Sequence, residues 1–371
     1  MFRNFLAIFA GAASAVVLLP VMLIALMLRA IPFCVGVISR AIQPARASWP
    51  ELMQYDSMLG WRPRPNLDTY SFADKDDVFQ VITDSEGWLG RSSLDEAEIA
   101  VIGDSFAFGY GMDWQKSFAE VDPQLKVKSF GAPGYSMVQG VRIMEKLGPR
   151  LEGKLVVWFV FIGNDPQDNL APNLRTYRAP FVRRTRNGDS WEIVDSHLSP
   201  EPWSCSWTNK ANRRMLAEFC VPGPYTDRIF SACGFLIGEA DRVCREAGAR
   251  LAVISIPHCA YLDRAGRNRL ASLIRRKEEF DPSLPHERIA ASCREFNVPA
   301  VSGYEVFDLG DYKAREGIHW NEGGHRKMAG LLKRLAREWE PSERAGASAS
   351  SAPLRGSTAG RPVFGRQDPP L

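Results

Sequence analysis

A serine and a histidine, far apart in the chain, have neighbours that suit acyl-transfer chemistry. Ser105 lies in the stretch VIGDSFAFGYG, and His319 lies in REGIHWNEGGH. A serine hydroxyl is a weak nucleophile until a base such as histidine takes its proton. Glu316, three residues before His319, is placed to hold the imidazole in the required tautomer. These residues are the candidate nucleophile, base and orienting carboxylate; Asp308 and Asp311 are less favoured orienters.

Donors for a developing oxyanion follow two other apolar segments. The stretch GAPGYS contains Gly134, which offers a backbone N–H, and GND contains Asn164, which offers a side-chain amide. With the backbone N–H of Ser105, they are the candidate oxyanion hole. Singly, each residue has a structural interpretation, as a helix cap, a turn residue or a buried histidine in the case of His319. Their joint occurrence favours catalysis.

Short apolar segments alternate with segments of helical periodicity between residues 96 and 340. This pattern indicates a doubly wound, flavodoxin-like α/β domain with a mainly parallel five-stranded sheet. Ser105, Gly134 and Asn164 follow the first three predicted strands. Because parallel strands end at one edge of their sheet, we expect these residues to meet His319 there. The predicted strands are 98–102, 127–130, 155–162, 250–256 and 298–302.

Composition and glycine spacing exclude several other classes. A net charge of +3 with scattered basic residues gives no electrostatic case for a nucleic-acid partner. The glycines at 109 and 111 lack the G-x-G-x-x-G spacing of a dinucleotide loop, and no Gly-Lys-Ser/Thr follows. The cysteines lack metal-ligand spacing. We therefore expect no metal and no cofactor.

The blocks GDSF, GAPGYS, GND and GIHWNEGGH occur in this order, and together they resemble the SGNH/GDSL hydrolase superfamily over about residues 96–340. The resemblance implies a serine hydrolase whose four motif residues are Ser105, Gly134, Asn164 and His319. The family usually has an aspartate three residues before the histidine, where this chain has Glu316. Because glutamate is longer by one methylene, its carboxylate reaches the imidazole only after a small backbone adjustment. We therefore expect a less well optimised catalytic triad.

The N-terminal region predicts a membrane anchor. Residues 5–28 contain no charged side chain, and about 20 apolar residues suffice to cross a bilayer as a helix. A cleaved signal peptide is the alternative, but its apolar core is usually shorter. We expect a single-pass helix in the cytoplasmic membrane, with the catalytic domain periplasmic or extracellular. The flanking arginines are nearly balanced and slightly oppose this orientation.

Composition divides the chain into an anchor with a juxtamembrane segment, a lead-in subdomain, the hydrolase domain and a disordered tail. Within the hydrolase domain, an insertion shows no clean strand and is predicted to form a lid or one wall of the cleft. The corresponding ranges are 1–45, 46–95, 96–340 and 341–371, with the insertion at 166–230.

Cysteine usage leaves two alternatives open. An even number of cysteines after the predicted span is compatible with three disulfides in an oxidising compartment, and equally with buried free thiols. The six are Cys205, Cys220, Cys233, Cys244, Cys259 and Cys293, and Cys34 lies at the edge of the span.

The expected function is that of a membrane-anchored serine esterase that removes or transfers acyl groups. Bacterial members that resemble this chain in its lead-in segment imply O-acetyl groups of a surface carbohydrate as substrate. A lipid esterase or lysophospholipase is the first alternative, and a non-catalytic glycan-binding or assembly protein is the second. Trp191, Trp203 and Trp207 of the insertion are candidates for stacking on sugar rings or for core packing.

Overall fold

The computed structural model describes residues 49–74, 77–170, 177–188, 190–195, 197–201, 209–314 and 318–338. In this part of the chain, no helix has both the length and the apolar character needed to cross a bilayer. Several predictions fall on residues outside it, namely those for 5–28, 341–371, Cys34, Cys205, Trp203, Trp207 and Glu316.

Strands and helices alternate between the fifth strand and the last helix, after two hairpins that come earlier in the chain. The strands are β1 (Met53–Asp56), β2 (Gly60–Pro63), β3 (Asp68–Asp74), β4 (Asp77–Ile82), β5 (Ile99–Gly103), β6 (Val127–Gly131), β7 (Leu155–Phe161), β8 (Phe181–Arg184), β9 (Trp191–Val194), β10 (Arg250–Ile256) and β11 (Ala300–Ser302). The α-helices are α1 (Ser105–Phe108), α2 (Met137–Leu147), α3 (Asp165–Asp168), α4 (Asn209–Phe219), α5 (Pro224–Glu246), α6 (Cys259–Leu262), α7 (Arg264–Ala271), α8 (Leu284–Glu295), α9 (Gly303–Val306) and α10 (Glu322–Glu338).

The central sheet confirms the predicted fold class. It has five parallel strands in the order β11-β10-β7-β5-β6, and these are the five strands that the sequence predicts. The chain winds outward from β5 in both directions, as in the flavodoxin-like order, so the switch point lies between β5 and β7. A crevice forms at the carboxyl ends of the strands at such a point.

Both faces of the sheet are covered, which explains why its strands are almost entirely apolar. Alternate residues of β5 point to opposite sides: Ala100 and Ile102 belong to one core cluster, and Ile99 and Val101 belong to the other. Helices α2, α5 and α8 supply side chains to the first cluster. Helix α10 packs the second face with the apolar side of its amphipathic surface.

The lead-in segment forms two antiparallel hairpins, β1–β2 and β3–β4. Trp61, Phe79 and Val81 are buried in the same cluster as the helices on the first face of the sheet. The segment therefore contributes to the same core as the central sheet.

The prediction that 166–230 holds no clean strand is wrong. β8 and β9 pair as an antiparallel hairpin, closed by a turn in which Gly188 has a φ of 76°. Strands of four residues are too short for an alternating pattern to show, and the exposed Arg183 and Arg184 break the apolar run. Helix α5 begins at Pro224, within the predicted insertion.

Candidate active site

Strand β5 ends at Gly103, and α1 begins two residues later at Ser105. Ser105 therefore lies at the carboxyl edge of the sheet. Asp104 caps this short helix: its carboxylate accepts a hydrogen bond from the Phe106 N–H at 2.9 Å. The helix packs closely against β6, where a Cβ on Gly131 would lie 2.6 Å from the Ala107 Cβ. Ser105 is therefore held at the carboxyl end of β5 with its backbone N–H at the start of a helix.

The structure brings Ser105 and His319 together as predicted. The serine Oγ lies 2.7 Å from His319 Nε2, which is a hydrogen-bonding distance. The His319 ring contacts two aromatic side chains that follow the serine in sequence, with centroid distances of 5.1 Å to Phe106 and 5.0 Å to Tyr110. These contacts restrain the imidazole in an orientation that lets Nε2 take the Ser105 proton.

His319 is carried on a two-stranded ribbon that precedes α10. Tyr312 and Trp320 form an antiparallel bridge, and the Lys313 N–H donates to the His319 carbonyl at 2.9 Å. The Asn321 N–H donates to the Asp311 carbonyl at 2.8 Å. The ribbon explains how a residue from the end of the domain reaches the end of β5.

The predicted orienting carboxylate, Glu316, lies outside the described residues, so its role stays a prediction. The two less favoured orienters are engaged elsewhere. The carboxylates of Asp308 and Asp311 both pair with the ammonium of Lys327 on α10, at 3.2 and 2.5 Å. Hydrogen bonds from Lys327 and from the Gly310 N–H lower the pKa of Asp308. Both carboxylates thus fix the start of α10.

The candidate oxyanion donors differ in their surroundings. Gly134 has a φ of 81°, in the left-handed region that favours glycine. It lies in a buried turn after β6, which the Tyr135 N–H closes by donating to the Ala132 carbonyl. Asn164 follows β7, the strand on the other side of the switch point, so its position agrees with the prediction.

The side chain of Asn164 has partners that the sequence did not suggest. Its amide donates to Asp165 Oδ1 at 3.2 Å and to Asp168 Oδ2 at 2.7 Å. Both carboxylates are 2% exposed, and Asp165 also accepts from the Phe161 N–H. An amide has two N–H groups, so service in an oxyanion hole requires one of them to turn from a carboxylate to the substrate.

Two further residues of this edge were missed by sequence reasoning. His258 and Cys259 directly follow β10, and the His258 ring stacks on Phe161 at 6.1 Å between centroids. Ile256 is in register with Phe161, so His258 lies level with the loop that carries Asn164. Their place after a predicted strand was the available signal. In the described parts of the chain, no cluster of three potential metal ligands occurs.

No protein-family model matches this sequence, and no curated protein matches it either. Solved structures do match. An aryl esterase from M. smegmatis is 13% identical, with 65% of this chain and 99% of that chain covered and a TM-score of 0.38. A carbohydrate acetylesterase from Sinorhizobium meliloti is 11% identical, with 66% and 100% covered and a TM-score of 0.38. A lipolytic G-D-S-L family protein from Veillonella parvula is 10% identical, with 64% and 97% covered and a TM-score of 0.36.

The fold assignment rests on the chain's own strand order and on where its blocks lie. GDSF follows β5, GAPGYS follows β6, GND follows β7, and GIHWNEGGH leads into α10. The nucleophile candidate and the histidine meet at the switch point. The chain thus has the doubly wound fold that its resemblance to the SGNH hydrolases implies. The chain departs from what the resemblance implies in two features. One is Glu316, where the family usually has an aspartate. The other is the pair of carboxylates that accept hydrogen bonds from the Asn164 amide.

The described cysteines are reduced thiols outside any disulfide: Cys220, Cys233, Cys244, Cys259 and Cys293. Burial raises the pKa of the Cys244 and Cys293 thiols to about 12, so they are unreactive core residues. Of the two alternatives from the sequence, free thiols hold for these five.

Trp191, one of the tryptophans considered for sugar stacking, is a packing residue. It is 7% exposed, its indole N–H donates to Ser231 Oγ at 3.0 Å, and the Arg184 guanidinium lies 4.4 Å from its ring centroid. These contacts attach the β8–β9 hairpin to α5. The Arg142–Asp195 ion pair ties the same part of the insertion to α2.

Proposed function

We propose that this chain is a serine esterase that acts through an acyl-enzyme. The observation that carries the proposal is the 2.7 Å contact of Ser105 Oγ with His319 Nε2 at the carboxyl edge of the sheet. In the first step, Oγ attacks the ester carbonyl while Nε2 takes its proton and passes it to the leaving alcohol. Water then hydrolyses the acyl-serine with the same histidine as base.

The substrate within this class is a further proposal: O-acetyl groups of a surface carbohydrate, removed by hydrolysis or transferred. Its support is the resemblance of the lead-in segment and motif blocks to membrane-anchored bacterial SGNH proteins. The uncharged run 5–28 supports anchoring in a membrane, and the resemblance to membrane-anchored bacterial members is the support for placing the catalytic part outside the cytoplasm. The insertion, which we expect to form one wall of the cleft, is the region that would set selectivity.

Labelling with a fluorophosphonate tests the proposed chemistry, because only an activated serine reacts with it. The intact chain should be labelled at Ser105, and Ser105→Ala should not be. Aryl esters with acetyl, butyryl and longer acyl groups, together with acetylated oligosaccharides, then test the substrate. If the wild-type chain neither reacts with the probe nor hydrolyses any of these esters, the non-catalytic alternative is correct. Preference for long acyl chains would favour the lipid esterase.

A further inference from the structure

The side chain of Lys313 joins two segments that are far apart in the sequence. Its ammonium lies 2.5 Å from the carboxylate of Asp77, at the start of β4, and it donates to the Gly111 carbonyl in the loop after α1. The lysine side chain is only 12% exposed. Burying a charged side chain to this extent costs free energy unless the charge is paired or hydrogen-bonded. Both partners of the Lys313 ammonium are oxygen atoms.

The backbone of Lys313 is bonded to the candidate base. Its N–H donates to the His319 carbonyl at 2.9 Å, directly across the ribbon that the Tyr312–Trp320 bridge begins. Lys313 therefore anchors the ribbon to Asp77 through its side chain and pairs with His319 through its backbone. Movement of the Lys313 side chain would be passed to His319 through a single hydrogen bond.

The same hairpin also restrains the other side of His319. Tyr110, whose ring contacts the His319 ring, packs edge-on against Phe79 of β4 with centroids 5.2 Å apart. Its hydroxyl donates to the Phe72 carbonyl of β3 at 3.2 Å. The β3–β4 hairpin thus touches both the loop after the candidate nucleophile and the ribbon of the candidate base.

We infer that Lys313 is a positioning residue for His319, with Asp77 as its anchor; this inference rests on the proposed esterase function. The Asp77–Lys313 pair fixes the ribbon against the hairpin so that Nε2 stays within hydrogen-bonding distance of Ser105 Oγ. Displacing a catalytic group by about 1 Å can lower a rate on the order of 100-fold. The ammonium acts on catalysis through the placement of the imidazole.

The test compares two acetate esters with different leaving groups. His319 must take the Ser105 proton with either ester, but an alkoxide must also receive a proton from His319 as it leaves, whereas a nitrophenolate leaves without one. Lys313→Met should therefore lower kcat/KM by about 10–100-fold on an alkyl acetate, and by clearly less on 4-nitrophenyl acetate. Asp77→Asn should shift the ratio of the two rates in the same direction by a smaller factor, because its amide oxygen still accepts a hydrogen bond.

Lys333→Met is the matched control. Lys333 is also paired with an aspartate, Asp122, at 2.8 Å, but the pair is 31% exposed on both sides and lies elsewhere on α10. Its removal should change both rates by less than about two-fold, as for an ordinary exposed pair. Lys313→Arg, which keeps the charge and the donors, should recover part of the alkyl-ester rate.

The inference is overturned if folded Lys313→Met hydrolyses both esters at wild-type rates, or if both rates fall equally in proportion to the fraction unfolded. Should Lys313→Met fail to fold, the rate ratio of Asp77→Asn decides in the same way. A wild-type chain without esterase activity or phosphonate labelling would instead refute the proposed function, and the positioning role would fall with it. The two failures are distinguished by whether the wild type itself reacts.

Discussion

Two serine–histidine pairs in the described part of the chain have the same separation and very different surroundings. Ser105 Oγ lies 2.7 Å from His319 Nε2, and Ser255 Oγ lies 2.7 Å from His286 Nδ1. Ser255 is in β10 and His286 is in α8, and both are 2% exposed. The first pair lies at the switch point of the sheet, whereas the second lies between the sheet and a helix.

This difference shows that separation alone does not make a nucleophile. Burial lowers the pKa of His286 to about 3, so its imidazole resists taking up the proton that an attacking serine must release. Its Nε2 has no hydrogen-bond partner among the described residues, and Tyr304 stacks on the ring at 5.7 Å. A substrate has no access there. The Ser105 pair lies at the carboxyl edge of the sheet, where His319 is half-buried and the candidate oxyanion donors follow the neighbouring strands.

The largest contrast is expected between the two histidines. His319→Ala should lower turnover by roughly 10⁴- to 10⁶-fold, because Ser105 loses its base. His286→Asn should leave turnover of the folded protein unchanged and lower its thermal stability. Hydrolysis of an aryl acetate measures the first effect, and peptide mapping of the phosphonate adduct checks its position. An adduct on Ser255 would reverse our assignment of the two pairs.

Substitutions at Glu316 test whether its carboxylate orients the imidazole of His319. Glu316→Gln should lower turnover by about 10⁴-fold, as a carboxylate-to-amide change does in serine triads by favouring the wrong tautomer. Glu316→Asp should be mild, since it restores the residue usual in the family. The measurement is kcat on an aryl acetate between about pH 6 and 9. Full turnover of the Gln variant, with His319→Ala inactive, would show that Glu316 is not the orienter.

Substituting the oxyanion donor Asn164 should lower turnover less than substituting the base, His319. Asn164→Ala should lower kcat by about 10²- to 10³-fold, the usual effect of deleting one oxyanion donor. Asp168→Asn keeps an acceptor for the Asn164 amide and removes a negative charge near the developing oxyanion, so we expect kcat at or above the wild-type value. If Asn164→Ala keeps its full kcat, Asn164 is only the cap of α3, and the carboxylates are its structural partners.

The smallest effect concerns stability and depends on the buried histidines. The pKa of His286 is lowered to about 3 by burial, and that of His325 to about 3 by burial and then by the charges of His319 and Lys313. Below about pH 6.5 the unfolded chain takes up protons that the folded chain does not. Stability should therefore fall with decreasing pH between about 6.5 and 3, by up to about 1.4 kcal/mol per pH unit for each histidine.

Denaturant unfolding at several pH values measures this slope. His286→Asn should reduce it by close to one proton, whereas Ser255→Ala, which keeps the buried imidazole, should leave it nearly unchanged. An unaltered slope in His286→Asn would mean that the acid sensitivity arises from other groups.

The sequence by itself determined the five central strands and the residues that follow them. β5, β7 and β10 are apolar along almost their whole length because both faces of the sheet are covered, and this makes them visible as short runs. Parallel strands end at one edge, so the positions of Ser105 and Asn164 after β5 and β7 sufficed to predict their approach. The pairing with His319 also followed from the motif before the last helix.

Other features were decided only by the tertiary structure, because they depend on which side chains meet across long separations. The motif blocks single out Ser105 and His319, whereas the contact of Ser255 with His286 and its burial between the sheet and a helix follow only from packing. The link of Asp77 to Lys313 joins a hairpin to a ribbon near the other end of the domain, and neither residue belongs to a recognisable motif. Short-range periodicity reports which face of an element is buried, whereas these contacts depend on how the elements pack against one another.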